Sequence, residues 1–364
     1  MIHAKVLIIG AGPAGLKAAK MSCEAGLDTI LVDRSHILGG QLIKQTHKFF
    51  GSKDHYAQMR GIHIAQHLEA DLKDFKHLRI LTQASVVGLY EDKVATILHD
   101  STYKKIKADV IILACGASEK FMSFENNDLP QIMGAGALQT LVNVYQVIPG
   151  KRMIMVGSGN IGLIVSYQMI QAGMQVQAIL EAADSIGGYK VHASKLRRLG
   201  VEIMRGKTIK RAIGIDKLEA VEIVSVDENF KEIEGTTQII ETDVLCVSVG
   251  LSPLHQLASM INAKTVYIPS LGGLVPLIDD HYQCSISGVF ACGDMVGIEE
   301  ASSALMEGCL TGLHAAAYLG QPHQDHNFLV AHYEQQLFEL RDGPHGVKTL
   351  QGIVKRKEHF THAQ

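Results

Sequence analysis

Two stretches of this chain carry the same succession of signals, and that repetition restricts the fold more than any other feature. Lys5-Val6-Leu7-Ile8-Ile9 is a continuous apolar, β-branched run, read as a strand buried on both faces of a parallel sheet. Gly10-x-Gly12-x-x-Gly15 follows at once. A helix is expected from Leu16 to about Ala25 with Gly26 at its C-cap, and then a strand over Thr29–Val32 that ends at Asp33. The order recurs as a strand over 152–156, the turn Gly157-x-Gly159-x-x-Gly162, a helix over 163–172 closed by Gly173, and a strand over 175–180 that ends at Glu181. Asp33 stands 23 residues after Gly10, and Glu181 stands 24 after Gly157.

In such a unit the first glycine makes the tight turn, the second lets backbone approach a pyrophosphate and the third lets helix and strand pack closely. The free N–H groups of the helix N-terminus favour phosphate, and the acid ending the second strand accepts hydrogen bonds from a ribose. Gly10, Gly12, Gly15 and Asp33 fit these roles in the first copy. Gly157, Gly159, Gly162 and Glu181 fit them in the second. A carboxylate at Glu181 favours a free 2′-hydroxyl and repels a 2′-phosphate, which predicts NAD(H) over NADP(H). The basic cluster Lys190, Lys195, Arg197 and Arg198 is read as a solvated helix face and not as a 2′-phosphate contact.

Two further apolar runs end in glycine turns, Val110–Gly116 and Val244–Gly250, and a third, Gly288–Cys292, runs into Gly293-Asp294. An aspartate at a strand end between small residues can bond a ribityl hydroxyl of a flavin; the plain alternative is a turn cap. The helix expected from about Glu300 through Ala304, Gly308, Gly312 and Ala316 would aim its N-terminus at the flavin ring edge. With 364 residues the chain suits about two domains, at roughly 150 residues each. The fold class expected is α/β: two Rossmann-like domains, an FAD-binding one made of 1–119 and 246–364 and an NAD-binding one, 120–245, inserted into it. The tail 321–364 is left open between a helical element and a partner-facing segment.

Charge and cysteine content exclude other classes. A net charge of −3 lacks the basic excess of a nucleic-acid binder. No uncharged apolar run reaches the roughly 18 residues of a membrane span. The opening residues run straight into the glycine motif, so no secretory signal is expected. The six cysteines, at 23, 115, 246, 284, 292 and 309, form no Cys-x-x-Cys and are read as buried thiols in a reducing cytoplasm. His323-x-x-His326 and His359-x-x-His362 have spacings a metal could use, but no acid or cysteine is fixed nearby, so no metal site is expected.

The order Gly-x-Gly-x-x-Gly, Leu38-Gly39-Gly40-Gln41-Leu42, Ala114-Cys115-Gly116-Ala117, a second Gly-x-Gly-x-x-Gly and Gly288–Asp294 resembles the two-dinucleotide-binding-domain flavoproteins, over nearly the whole chain. The short length and Gly39-Gly40-Gln41 are similar to the thioredoxin-reductase-like branch. The resemblance implies FAD in the first domain, a nicotinamide nucleotide in the second and hydride transfer between them. It implies that Gly10, Gly12, Pro13, Ala14, Gly15, Asp33 and Arg34 hold the FAD diphosphate and ribose, with Val86 also in contact with the cofactor. By the same resemblance Gly39, Gly40, Gln41 and Leu42 approach the flavin side, Cys115 and Gly116 line the same site, Gly293 and Asp294 hold the ribityl chain, and Ala301 lies near the ring. Gly157, Gly159, Asn160, Ile161 and Glu181 would hold NAD(H), with Gly250 at that crevice.

One departure redirects the expected chemistry. Disulfide reductases of this group need an attacking and a resolving cysteine beside the flavin. Neither 39–51 nor 132–157 contains a cysteine, so electrons are expected to leave the flavin for another acceptor and no side chain is assigned as catalytic. Gly134–Asn143, Gly187-Gly188-Tyr189, Lys195–Arg198 and Glu299–Ala304 resemble a narrower group, the flavoprotein subunits of opine oxidase, hydrogen cyanide synthase and proline- or sarcosine-type enzymes. That likeness implies a cytoplasmic electron-transfer subunit of a heteromeric amine, imino-acid or hydroxy-acid dehydrogenase. It implies an oligomer with a second flavoprotein subunit as partner, with or without a separate small iron–sulfur protein. The alternatives are a stand-alone flavoprotein oxidase or reductase and a non-catalytic scaffold that holds nucleotide.

Overall fold

The structure, a computed structural model, describes residues 1–343 and 346–363. Its backbone forms two compact units: Met1–Ile43 with Lys48–Ser118 and Leu251–Gln364, and Lys44–His47 with Glu119–Gly250.

The first unit is built on a seven-stranded sheet in the order Leu78–Leu81, Thr29–Val32, Ile2–Ile9, Thr102–Leu113, Val94–His99, Ala84–Leu89, with Val289–Ala291 also paired to Thr102–Leu113. The 12-residue strand Thr102–Leu113 does two jobs. Its first half pairs antiparallel with Val94–His99, and its second half runs parallel to Ile2–Ile9 and Val289–Ala291. The parallel part is buried on both faces, which is why Val6–Ile9 and Val110–Leu113 read as unbroken apolar runs. The helix Pro13–Glu24 starts three residues earlier than the Leu16 expected, because Gly12 serves as N-cap and Pro13 pre-sets the first helical φ. It packs tightly on the helix Ala301–Tyr318: a Cβ at Gly308 would lie 2.1 Å from the Ala14 carbonyl oxygen, and one at Gly312 2.7 Å from that of Ala18.

The second unit holds a five-stranded, all-parallel sheet in the order Glu202–Arg205, Gln175–Glu181, Arg152–Val156, Val244–Val247, Ile132–Gly134. A three-stranded antiparallel sheet, Lys207–Ile213, Ala220–Ser225 and Gln238–Glu241, belongs to the same unit. The helix Asn160–Gln171 again begins directly after the second glycine of its motif. The expected boundary at 245/246 is corrected: Val244–Val247 pairs in register with Met153–Val156, so cutting there would split a central strand.

The tail resolves into helices His326–Arg341 and Val347–Ala363. No helix among the described residues is long and apolar enough to cross a membrane.

Candidate functional site

The first glycine turn is shaped by two steric demands and one freedom. Gly10 has φ +104°, and a Cβ there would sit 2.3 Å from the Ala114 carbonyl oxygen. A Cβ at Gly15 would fall 1.8 Å from the Gly10 carbonyl oxygen. Gly12, by contrast, has an ordinary φ of −75° and nothing within 4 Å of the position its Cβ would take. The protein therefore requires glycine at 10 and 15 for its own packing, while at 12 it leaves open space at a helix N-terminus, the fit expected of a phosphate cradle. Asp33 is fixed beside it: Oδ2 accepts the Ala11 N–H at 2.6 Å and Oδ1 the Ser35 N–H at 2.7 Å.

The second turn repeats each of these relationships. A Cβ at Gly157 (φ +102°) would meet the Ser248 carbonyl oxygen at 2.1 Å, one at Gly162 the Gly157 carbonyl oxygen at 2.2 Å, and one at Gly159 nothing within 4 Å. Glu181 Oε2 accepts from the Ser158 N–H and hydroxyl at 3.0 and 2.5 Å, and Oε1 accepts the Ala183 N–H at 2.9 Å. Each acid thus takes a backbone N–H from the glycine turn and another from the amide two residues beyond itself, with the Ser158 hydroxyl an additional donor to Glu181, and lone pairs remain on both carboxylates for a ribose.

A further parallel was not drawn from the sequence. Gly39-Gly40 begins six residues after Asp33, and Gly187-Gly188 six residues after Glu181. The Gly39 N–H donates to the Ala11 carbonyl at 2.8 Å, and the Gly188 N–H donates to the Ser158 carbonyl at 2.9 Å. A Cβ at Gly40 would stand 2.8 Å from Gly12 Cα, and one at Gly188 2.8 Å from the Asn160 nitrogen. Each cradle is walled by its own glycine pair. The repeated spacing from acid to glycine pair was the available signal. Asn160 adds to its wall by accepting the Tyr189 N–H on Oδ1 at 2.8 Å.

Around the first cradle the other expected residues gather to different degrees. Pro13 and Ala14 open the helix, Arg34 is exposed beside Asp33, and Gln41 is exposed in the short 3₁₀ turn Gly40–Lys44. Leu42 in that turn is completely buried in the core, so its side chain offers no surface to a ligand. Val86 lies on the strand tied to Asp33 by the Ala84 N–H, at 2.9 Å from the Asp33 carbonyl. Cys115 and Gly116 follow the strand Thr102–Leu113 as Val249 and Gly250 follow Val244–Val247, and both glycines have positive φ (+73° and +115°). In the second unit Ile161 is exposed at the start of its helix. Lys190, Arg197 and Arg198 are solvated as expected, while Lys195 lies over the Tyr167 ring at 3.4 Å.

Gly293 (φ +72°) and Asp294 form the short turn before the helix that starts at Ala301, and a Cβ at Gly293 would touch Ala14 Cβ at 3.0 Å. The turn is therefore packed against the first turn of the helix Pro13–Glu24. Burial, with smaller contributions from the Glu307 and Glu299 charges, pushes the Asp294 carboxyl up to about 7. The Gly293 N–H donates to Glu307 Oε2 at 2.8 Å, an acid sequence reasoning passed over because it lies mid-helix, 14 residues on.

The six cysteines are unpaired. Burial raises every one of these thiols, Cys23 and Cys309 to about 11 and Cys115 and Cys284 to about 12. His323 and His326 do not face a common point: His323 Nδ1 accepts the Asp325 N–H at 3.0 Å, whereas the His326 ring packs edge-on to His314 at 5.8 Å. His314, His281 and His326 line a cavity of about 550 Å³ that no glycine-turn residue borders. Among the described residues no three His, Cys, Asp or Glu side chains are arranged to hold a metal ion; the side chain of His362 lies outside them.

Comparison with known proteins agrees with this geometry. The pyridine nucleotide-disulphide oxidoreductase family matches residues 4–308. The alpha subunit of sarcosine oxidase from Corynebacterium sp. (strain P-1) is 26% identical over 88% of this chain and 33% of its own length. An opine oxidase subunit from Rhizobium meliloti (strain 1021) is 25% identical over 87% of this chain and 71% of its own length. Ferredoxin–NADP reductase from Ignicoccus hospitalis is 22% identical over 86% of this chain and 97% of its own. The chain thus spans about a third of the sarcosine oxidase subunits it matches. Among solved structures, thioredoxin reductase from T. acidophilum (TM-score 0.72, 18% identity, 87% of this chain, 99% of that one) shares the fold. So does L-proline dehydrogenase from P. horikoshii (TM-score 0.70, 23% identity, 93% of this chain, 59% of that one). The match over residues 4–308 makes the chain a member of the pyridine nucleotide-disulphide oxidoreductase family, and the two glycine cradles with their fixed acids fit the FAD and nicotinamide nucleotide that this family implies.

Proposed function

We propose that this protein passes electrons between NAD(H) and an acceptor other than a disulfide, as the electron-transfer subunit of a cytoplasmic heteromeric amine, imino-acid or hydroxy-acid dehydrogenase. Gly12 and Gly159 carry the proposal: each is a glycine that the protein's own packing does not need, at a helix N-terminus with an acid fixed beside it. FAD, when bound, supplies two-electron chemistry that no side chain of this chain provides.

In the first unit the Gly12 turn and the helix Pro13–Glu24 would receive the FAD diphosphate. Asp33, held by Ala11 and Ser35, would accept the adenosine ribose hydroxyls, and Asp294 the ribityl hydroxyls. In the second unit Glu181 would bond the 2′-hydroxyl of NAD(H). Its fixed negative charge would disfavour the 2′-phosphate of NADP(H). Six unpaired thiols, five buried and Cys115 half-buried, with no Cys-x-x-Cys offer no dithiol motif to take electrons onward, so the acceptor lies elsewhere. The subunit role is supported by relatives that are themselves named as subunits, of sarcosine oxidase and of opine oxidase. A second flavoprotein chain and a small iron–sulfur protein are the proposed partners.

The decisive experiment is anaerobic stopped-flow mixing of the yellow protein with NADH. Loss of flavin absorbance is expected, faster with NADH than with NADPH; an unbleached flavin rejects NADH as donor. A second reading is favoured by the near-complete coverage of ferredoxin–NADP reductase, a relative similar in length: a reductase acting without a partner flavoprotein. Steady turnover by the isolated chain with a soluble one-electron acceptor protein would select it. Recovery of activity only with a co-purifying subunit would select the first.

A further inference from the structure

The two helices after residue 319 reach back to the Gly293–Met295 turn through a buried ionic cluster. Arg341, at the end of the helix His326–Arg341, donates Nε and Nη2 to the Glu299 carboxylate at 3.0 and 2.5 Å. The same Nη2 donates to Glu307 Oε1 at 2.7 Å. The other oxygen of Glu307 accepts the Gly293 N–H at 2.8 Å, and the Glu299 N–H points at Asp294 Oδ1 at 3.4 Å. Arg356, on the last helix, is 5% exposed and donates Nη1 to the Val296 carbonyl at the end of the same turn. The side chains of Arg341, Glu299 and Glu307 are 12, 11 and 4% exposed, so this is an interior cluster and not a surface pair. Both arginines lie beyond the 4–308 stretch that the family matches.

A buried carboxylate keeps its charge only if it is paired and hydrogen-bonded. Glu307 meets both needs, with one oxygen on the arginine fork and the other on the turn's amide. Remove the fork and two buried acids, Glu299 and Glu307, are left with the Arg356 charge alone to offset both, with no hydrogen bond from an arginine to either; protonation of one is favoured, and the grip on Gly293 weakens. The turn then loses the one side-chain bond to the Gly293 amide and keeps the Val296 N–H to Gly293 carbonyl bond at 2.9 Å and the Cys292 N–H to Leu113 carbonyl bond at 3.0 Å.

We propose that the C-terminal helix pair completes the flavin site, with Arg341 and Glu307 as positioning residues that hold the Gly293–Met295 turn and Asp294 ready for the ribityl chain. This rests on FAD occupying the first unit as described above.

The test is titration of FAD into flavin-free full-length protein, followed by fluorescence quenching and by the fine structure of the bound flavin's visible band. Arg341→Met is expected to raise the Kd for FAD at least about tenfold and to blur that fine structure, since breaking a buried pair leaves an uncompensated charge. Arg341→Lys, which restores the charge but not the fork, should fall between the two. Glu307→Gln keeps volume and an acceptor for Gly293, removes the charge paired with Arg341 and replaces that acceptor by an amide donor, and leaves the Arg341–Glu299 pair in place. It is expected to weaken FAD several-fold with the melting temperature close to wild type, and it decides the matter should Arg341→Met not fold. Wild-type affinity and an unaltered flavin spectrum in Glu307→Gln, or in a folded Arg341→Met, would overturn the inference. A wild-type protein that itself fails to take up FAD would instead overturn the cofactor assignment.

Discussion

Ser158 donates twice to a single oxygen of Glu181, from its amide at 3.0 Å and from its hydroxyl at 2.5 Å, while the Ala183 amide holds the other oxygen at 2.9 Å. The carboxylate is thus set before any ligand arrives, and the nucleotide need not meet the entropy cost of ordering it. Glu181→Gln preserves the shape but forfeits the charge. A charged hydrogen bond is worth about 1.5–3 kcal/mol, so the KM for NADH in anaerobic flavin reduction should rise on the order of tenfold or more at nearly unchanged limiting rate. The preference for NADH over NADPH should fall with it. An unchanged preference would mean that Glu181 only braces the turn.

Gly12→Ala and Gly10→Ala separate binding from folding. At position 12 the added methyl meets nothing within 4 Å and the backbone is in an allowed region, so the melting temperature should stay within a degree or two of wild type while FAD is lost. At position 10 the methyl would press on the Ala114 carbonyl at 2.3 Å in a left-handed backbone, at a cost of about 1–3 kcal/mol or more. That variant should be visibly destabilised whether or not FAD is present. The same contrast is expected between Gly159→Ala and Gly157→Ala, read out with NADH. A Gly12→Ala variant that retains FAD at wild-type affinity would show that the open space is not a cradle.

The two βαβ units were legible because their signals are local: buried parallel strands are apolar throughout, and the acid must stand about one helix and one strand after the glycines. The helices start at Pro13 and Asn160, three residues before the expected Leu16 and Leu163, because the glycine motif itself supplies the first turn, Pro13–Gly15 and Asn160–Gly162, ahead of the apolar periodicity. The Gly39-Gly40 and Gly187-Gly188 walls were each visible as motifs, but their relation to Ala11 and Ser158 depends on the chain folding back over the turn. The Glu299–Glu307–Arg341 cluster was not legible at all. Its members are separated by 8 and 34 residues in the sequence, Glu299 just before a helix and Glu307 and Arg341 within helices, where charged residues are ordinarily solvated; only the tertiary packing around one turn buries them.

Asp294 and His314 should tilt stability with pH in opposite directions. The Asp294 carboxyl is raised from 3.8 to about 7, so the unfolded chain releases its proton first, and stability falls as pH rises from about 4 to 7. His314 is buried and lowered from 6.5 to about 4, by desolvation and then by the His281 and His326 charges, so the unfolded chain protonates first. Its contribution is present above 6.5 and is lost as pH falls toward 4. Each slope is at most about 1.4 kcal/mol per pH unit, and over roughly pH 4–6.5 they offset one another. Urea melts of the flavin-free protein should therefore show Asp294→Asn gaining on wild type as pH rises. His314→Gln should gain on wild type as pH falls. Parallel curves for a variant and wild type across about pH 4–7 would remove that group from the account.

The thiols provide the last prediction, and it bears directly on where electrons go. A reductase that works through cysteines must present a thiolate, and thiolate fraction follows pKa. Cys23 and Cys309 at about 11 and Cys115 and Cys284 at about 12 leave on the order of one part in a thousand or less ionised at about pH 8. Burial pushes Cys246 and Cys292 up as well. Iodoacetamide at about pH 8 should accordingly leave the native protein unmodified by mass over an hour while labelling all six cysteines in urea. The treated native protein should still be bleached by NADH at the untreated rate. Cys115→Ser and Cys292→Ser are expected to keep flavin reduction for the same reason. Rapid alkylation of one native cysteine, coupled to loss of electron transfer to the acceptor, would restore a thiol to the pathway and displace the proposal that electrons leave the flavin without one.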